Sequence, residues 1–240
     1  MTTPTPASTD KPNLIHLANS SSQSALWALE ELSIPYTLTP FPRGLGQAPP
    51  ELKNTHPQGK SPQLITPSGR VLTQLSAILL YLLRTYDTEH KFHDPDQSVE
   101  DATREEYLVC LGVSDLGSKL GAKFMFAGVA AMAPWFVRPL LNKVKSTIGS
   151  MVLDPDVEAI MGVLETELEG GGEWYSGRGE PGRADFVLKF FVDLGVAPGY
   201  VRLERYARVK AWWERCEARE GWKRALERGN GYDLDFPGKW

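Results

Sequence analysis

His56 to Leu82 reads HPQGKSPQLITPSGRVLTQLSAILLYL, and the order of elements in this stretch decides the fold. Gln63–Thr66 is a short β-prone run, and Pro67-Ser68-Gly69 supplies the residues of a tight turn. Arg70–Leu72 then returns as a second short strand. Strands joined by so short a connection run antiparallel. From Gln74 to Tyr86, Leu75, Ile78, Leu79 and Leu82 recur at helical spacing, so a helix follows the hairpin.

Moving toward the N-terminus, Asn13–Leu17 (NLIHL) is a short apolar strand. Gln23–Leu32 places Ala25, Leu26, Leu29 and Leu32 on one helical face. Ile34-Pro35 stops that helix, and Tyr36–Thr39 reads as a strand. A helical crossover joins these two strands, which makes them parallel. A Gly- and Pro-rich loop, Pro42–Pro50, leads to a short helical piece around Glu51–Asn54. The order βαβαββα over residues 13–87 describes a small mixed sheet of thioredoxin type.

Moving toward the C-terminus, Asp87–Ser98 (DTEHKFHDPDQS) is polar and contains a proline, so a linker is expected at 88–98. No strand pattern follows. Ala102–Lys123, Pro134–Met151, Asp156–Glu169, Ala184–Leu194 and Tyr206–Glu217 read as helices, and residues 99–240 form an all-helical domain. The Thr-, Pro- and Ser-rich start reads as a disordered tail over residues 1–12.

Composition narrows the function. The formal net charge is −4, without a basic tail or a basic-aromatic run, so nucleic acid is not an expected partner. Two cysteines, Cys110 and Cys216, cannot staple a disulfide scaffold and show no metal spacing. They fit a reducing compartment, and a cytoplasmic location is expected. Phe124–Leu141 (FMFAGVAAMAPWFVRPLL) is the longest apolar run, but Pro134, Arg138 and Pro139 interrupt it, so no membrane span is expected.

Three segments can carry chemistry. Asn19-Ser20-Ser21-Ser22 lies between strand one and helix one. These residues suit plain helix capping. A hydroxyl at a helix N-terminus also suits an anion, including a thiolate. Ser61-Pro62 precedes an inner strand, and Pro62 is a candidate cis-proline or an ordinary strand start. With a cis bond, the Ser61 backbone would pair strand-like with an extended peptide. Lys60 is placed to meet a carboxylate. Gln74 to Ile78 opens the next helix, whose free N–H groups suit a second carboxylate. Trp27, Trp212, Trp213, Trp222 and Cys110 are expected in the core, and His16 is expected to be structural.

Together these segments resemble the glutathione transferase superfamily. LIHLANSSSQSALWALEELSIPY looks like its first strand, catalytic loop and first helix. HPQGKSPQL looks like its Gly-Lys-x-Pro segment, and LTQLSAILLYL like its acid-or-Gln, Ser, x, Ala, Ile helix start. WYSGRGEPGRADFVLKFF resembles its buried capping motif. PWFVRPLLNKVKS and YARVKAWWERCEAREGWKRAL point to the fungal branch with HPxGKSP. The similarity runs from Leu14 to Leu226.

The resemblance implies glutathione as co-substrate, no metal, a small apolar electrophile and a homodimer. It implies that Ser20 hydrogen-bonds the glutathione sulfur, with Asn19, Ser21 and Ser22 nearby. Lys60 would hold the glycine carboxylate, and the Ser61 backbone beside Pro62 the cysteinyl unit. Gln74, with Leu75 and Ser76, would meet the γ-glutamyl end, and Asp185 would cap a core helix. Phe124, Phe126 and Trp135, with Met125, Met132 and Phe136, are candidates for the apolar wall.

Two positions depart from the family pattern. Leu75 stands where a serine hydroxyl usually meets the γ-glutamyl carboxylate, and Gly182 stands where a capping Ser or Thr is common. Conjugation is the leading expectation. A glutathione-dependent isomerase, or a dedicated transferase of specialised metabolism, and a non-catalytic binding protein are the alternatives.

Overall fold

The computed structural model describes residues 10–43, 48–170 and 172–235. The expected disordered tail lies largely outside the described residues. Within its last part, the Pro12 carbonyl accepts Thr37 N–H at 2.9 Å.

Four strands form one sheet: β1 (Asn13–Leu17), β2 (Thr37–Phe41), β3 (Gln63–Ile65) and β4 (Val71–Thr73), ordered β2-β1-β3-β4. β1 runs parallel to β2, with Leu17 opposite Phe41, and antiparallel to β3. β3 and β4 form the hairpin. β2 starts one residue later than expected and ends two later, because its register follows β1 to Leu17. Pro40 is tolerated on this edge strand, which does not need its N–H.

Helices α1 (Ser22–Leu32) and α2 (Leu75–Tyr86) cover one face of the sheet. Side chains alternate across a strand. Leu14 and Leu64 therefore join the main core, while Ile15, Leu17 and Ile65 pack on the other face with Leu52 of the short 3₁₀ helix Pro50–Asn54.

The helical half begins after an ordered connection, in which the Asp87 carboxylate accepts the N–H groups of Lys91, Phe92 and His93. α3 (Val99–Cys110) passes through a wide π turn, Leu111–Leu116, into α4 (Gly117–Met132). α5 (Arg138–Ile148) passes through a second, Gly149–Leu153, into α6 (Asp154–Glu167). The expected gap before Asp156 is thus bridged. Pro155 lies in the first turn of α6, where the missing N–H is harmless. α4 runs past Lys123 and stops where Pro134 disfavours helix at Ala133.

α7 (Arg183–Val196), α8 (Ala207–Ala218) and α9 (Glu220–Arg228) complete the chain, and α9 was not among the helices expected. Trp27 of α1 packs edge-on against Phe186 of α7 at 4.6 Å and Trp222 of α9 at 5.5 Å. Trp212 is buried as expected, whereas Cys110 is exposed on the outer side of α3, beside Glu106, and not in the core. Among the described residues, no helix is long and apolar enough to cross a membrane.

Candidate functional site

The chain leaves β1 and turns at Asn19, which adopts a left-handed φ of 56°. Asparagine visits this region at low cost. Its N–H reaches the Gly231 carbonyl at 3.1 Å, and its Oδ1 accepts Asp233 N–H at 2.6 Å. Asn19 therefore clamps the segment that follows α9.

The three serines occupy different depths. Ser22 is fully buried, and its hydroxyl lies 2.8 Å from His16 Nδ1. Ser20 is 6% exposed; its hydroxyl donates to the Leu17 carbonyl at 2.8 Å and lies 3.4 Å from Ser61 Oγ. Ser21 is half-buried and lines a groove. The first N–H groups of α1 are engaged locally: Ser22 N with Ser20 Oγ, Gln23 N with Ser20 O, and Ser24 N with Ser21 O. Hydroxyls are left as the donors that this helix end presents.

Across the groove the Ser61–Pro62 bond is cis. Gln63, fully buried, braces the preceding loop by donating to the carbonyls of Leu52 and Lys60 at 3.1 and 2.9 Å. Lys60 is exposed and has no ion-pair partner among the described residues. His56 shapes the same loop by accepting Gln58 N–H at 3.3 Å.

The third side is the start of α2. Gln74 holds φ at 71°, in a region sparsely populated by non-glycine residues. No side chain caps α2, so its first N–H groups are left without a side-chain acceptor. Leu75 is buried, and Ser76 is half-buried.

Ser21, Lys60, Ser61, Pro62, Gln74, Leu75 and Ser76 surround one cavity of about 180 Å³, with Gln58 and Thr73 at its edge. Asn19, Ser20 and Ser22 stand behind it. Val113 and Phe191 close it from the helical half. Larger clefts of about 400 and 450 Å³ lie elsewhere, under the interdomain connection and beside Tyr200, and gather none of these residues.

The structure does not bring Phe124, Phe126 or Trp135 to this cavity. At about 1.5 Å of rise per residue, the helix carries Met132 roughly 28 Å beyond Val113. Phe124 packs on Tyr200, Phe126 lines a separate cleft with Lys145, and Trp135 is 81% exposed at the tip of the helical hairpin. Sequence reasoning missed Val113 and Phe191. Their signal is Gly117, where a Cβ would come within 2.7 Å of Phe191 Cε1. Only glycine admits the ring.

Residues 20–85 match the glutathione S-transferase N-terminal domain, and residues 129–220 match the glutathione S-transferase C-terminal domain. The chain belongs to the glutathione S-transferase superfamily. It is 24% identical to "Glutathione S-transferase 1" of Saccharomyces cerevisiae, covering 92% of this chain and 96% of the relative. It is 26% identical to "Glutathione S-transferase 3" of Schizosaccharomyces pombe, covering 90% and 86%. The crystal structure of a glutathione transferase homolog from Lodderomyces elongisporus, with two GSH per subunit, has a TM-score of 0.71 at 19% identity, covering 91% of this chain and 99% of that one.

In this superfamily member, Asp185 organises the helical half. Its carboxylate accepts N–H groups from Tyr175 (2.8 Å), Ser176 (3.1 Å), Gly182 (2.8 Å) and the Trp212 indole (2.8 Å). Burial pushes the Asp185 carboxyl up to about 6, and these donors oppose the shift. Gly182 fills the cap position because a Cβ would meet Ser176 Cβ at 2.8 Å. That departure from Ser or Thr is steric. Among the described residues, no cluster of metal-ligating side chains is found.

Proposed function

We propose that this chain conjugates the thiolate of glutathione to a small apolar electrophile. The observation that carries the proposal is the single cavity between the α1 serine loop, the cis-Pro62 edge and the uncapped start of α2. Lys60 would take the glycine carboxylate, and the Ser61 backbone the cysteinyl unit. Gln74 and the first N–H groups of α2 would take the γ-glutamyl end. The sulfur would lie at the N-terminus of α1, with Ser20 as donor and Ser21 beside it.

A free thiol with a pKa of about 8.5 is only a few per cent ionised at neutral pH. Lowering it by about two units raises the thiolate roughly 25-fold, and the loss of nucleophilicity returns about tenfold. Activation alone is therefore worth a few-fold. Most of the acceleration would come from holding the electrophile near the sulfur, against Val113 and Phe191.

Ser20→Ala should raise the bound thiol pKa by about one to two units, the loss of one hydrogen bond to a charged group, and cut turnover a few-fold at neutral pH, with little change in folding. If only Ser21→Ala or Ser22→Ala does so, the donor is displaced along the loop. Leu75, which withholds the usual hydroxyl, favours the second reading, a non-catalytic protein that binds ligands or partner proteins through the same groove and shows no glutathione binding at millimolar ligand. Calorimetry and product analysis separate the two, and an isomerase would return glutathione unconsumed. A homodimer in the cytoplasm belongs to the same proposal, and sedimentation at micromolar concentration tests the dimer.

A further inference from the structure

A line of buried side chains lies behind Ser20, and conjugation as described above does not use it. His16 is fully buried on β1, on the strand face that carries Leu14 toward α1. Its Nδ1 lies 2.8 Å from Ser22 Oγ, and Ser22 Oγ lies 2.8 Å from Ser20 Oγ. Ser20 Oγ is 3.4 Å from Ser61 Oγ, and Ser61 lines the groove. The polar groups therefore run from core to groove without a gap.

Each hydroxyl has one proton to give. If His16 Nδ1 carries no proton, Ser22 donates to it. Ser20 must then donate inward to complete its 2.8 Å contact with Ser22, and it offers nothing to the groove. If Nδ1 carries the proton, Ser22 accepts from His16, and its own proton goes to Ser20 at 2.8 Å in preference to the Leu17 carbonyl at 3.2 Å. The Ser20 proton is then left for the Leu17 carbonyl or for an anion in the groove.

The far side of the ring decides between these states. His16 Nε2 is buried and makes no close hydrogen bond among the described residues; the Asn230 side chain beside it gives one amide N–H to the Phe41 carbonyl at 2.7 Å, which leaves a second amide N–H that Nε2 can accept. A buried N–H without an acceptor is rarer than an under-satisfied acceptor, which favours the proton on Nδ1. The ring is also boxed in: a Cβ at Gly229 would come within 3.4 Å of Nε2 and 2.9 Å of Gln23 Oε1.

We propose that His16 is a positioning residue for the sulfur site: its Nδ1–H occupies Ser22 and thereby leaves the Ser20 proton for the bound thiolate. This rests on glutathione lying in the groove with Ser20 as its donor.

Nitrogen-15 histidine spectra of the wild-type protein give the first test, because the two ring nitrogens differ strongly in shift between tautomers. The Nδ1–H form is expected, and the Nε2–H form overturns the inference without any substitution. The second test titrates the bound thiol by its thiolate absorbance. His16→Leu frees Ser22 to accept from Ser20, so the bound thiol pKa should rise by about half to one unit, a three- to tenfold loss of thiolate at a given pH. KM for glutathione should change less, because the carboxylate contacts remain.

Ser22→Ala alone removes the competing acceptor, so the bound thiol pKa should rise less than in His16→Leu. The double variant His16→Leu with Ser22→Ala should match Ser22→Ala within about twofold, because the pair acts as one unit. A purely structural His16 would make the double variant at least as poor as His16→Leu, and that result refutes the proposal. Failure of the wild type to bind glutathione removes the proposed function as well. Binding with a Ser20→Ala defect, but no His16→Leu effect, removes this inference only.

Discussion

Replacing Leu75 with serine puts two magnitudes against each other. Leu75 opens α2, borders the groove and is only 6% exposed within the main core. A hydroxyl there would reach a carboxylate bound at the helix start. A hydrogen bond to a charged group is worth about 1.5–3 kcal/mol, which is roughly ten- to 150-fold in affinity. Removing the leucine from the core costs about 2–3 kcal/mol, the low end for such sites because the groove side is already open. For a chain of this length each kcal/mol shifts the melting midpoint by about 2–4 °C, so a fall of roughly 4–12 °C is expected. Calorimetric titration with glutathione, beside thermal melts with and without it, reads both effects. Leu75→Ala is the control, which should lose the same stability without gaining affinity. A folded Leu75→Ser protein that binds glutathione no more tightly than Leu75→Ala would refute the placing of the γ-glutamyl carboxylate at α2.

Lys60→Ala should raise KM for glutathione about tenfold with kcat nearly unchanged, because an exposed cation contributes to binding before and during reaction alike; steady-state kinetics checks this. Asp185→Ala strands four N–H donors, three of them buried, and should cost at least about 3 kcal/mol, measured by denaturant unfolding. His16, whose ring burial lowers to about 4 from 6.5, is neutral in the folded chain. Its stabilising share is complete above the unfolded value of 6.5 and is lost as pH falls toward 4, about 3 kcal/mol in all. Unfolding free energies between these pH values should flatten in His16→Asn.

Where local chemistry sets an element, the sequence and the structure agree closely. Asn13–Leu17, the Pro67-Ser68-Gly69 hairpin and α2 follow from alternation, turn residues and helical spacing. The groove residues Lys60, Ser61, Pro62 and Gln74 were also legible, because short motifs fix backbone direction. The failures share a cause: distance across the fold is not written in local pattern. Trp135 and Phe126 read as an apolar wall by composition, yet a long helix carries them away from the groove. Val113 and Phe191 meet there only because Gly117 lets two helices approach. The extra residue of the π turn at Gly149–Leu153 shifts the helical phase, so that continuous run reads as two helices, whereas the run through Leu111–Leu116 reads as one.

The contact between α1 and α9 bears on how the molecule comes apart. Arg219 grips Glu31 with two nitrogens at 2.6 and 2.9 Å, Arg224 reaches Glu30 at 3.0 Å, and Trp27 is enclosed between Phe186 and Trp222. The polar linker near residue 90 is therefore a boundary in connectivity and not in cooperativity. Excised alone, residues 13–87 would present the Trp27 face to water and leave Asn19 without its clamp. Melting is expected as one transition, in which the sulfur-binding loop is lost together with the helices that finish it.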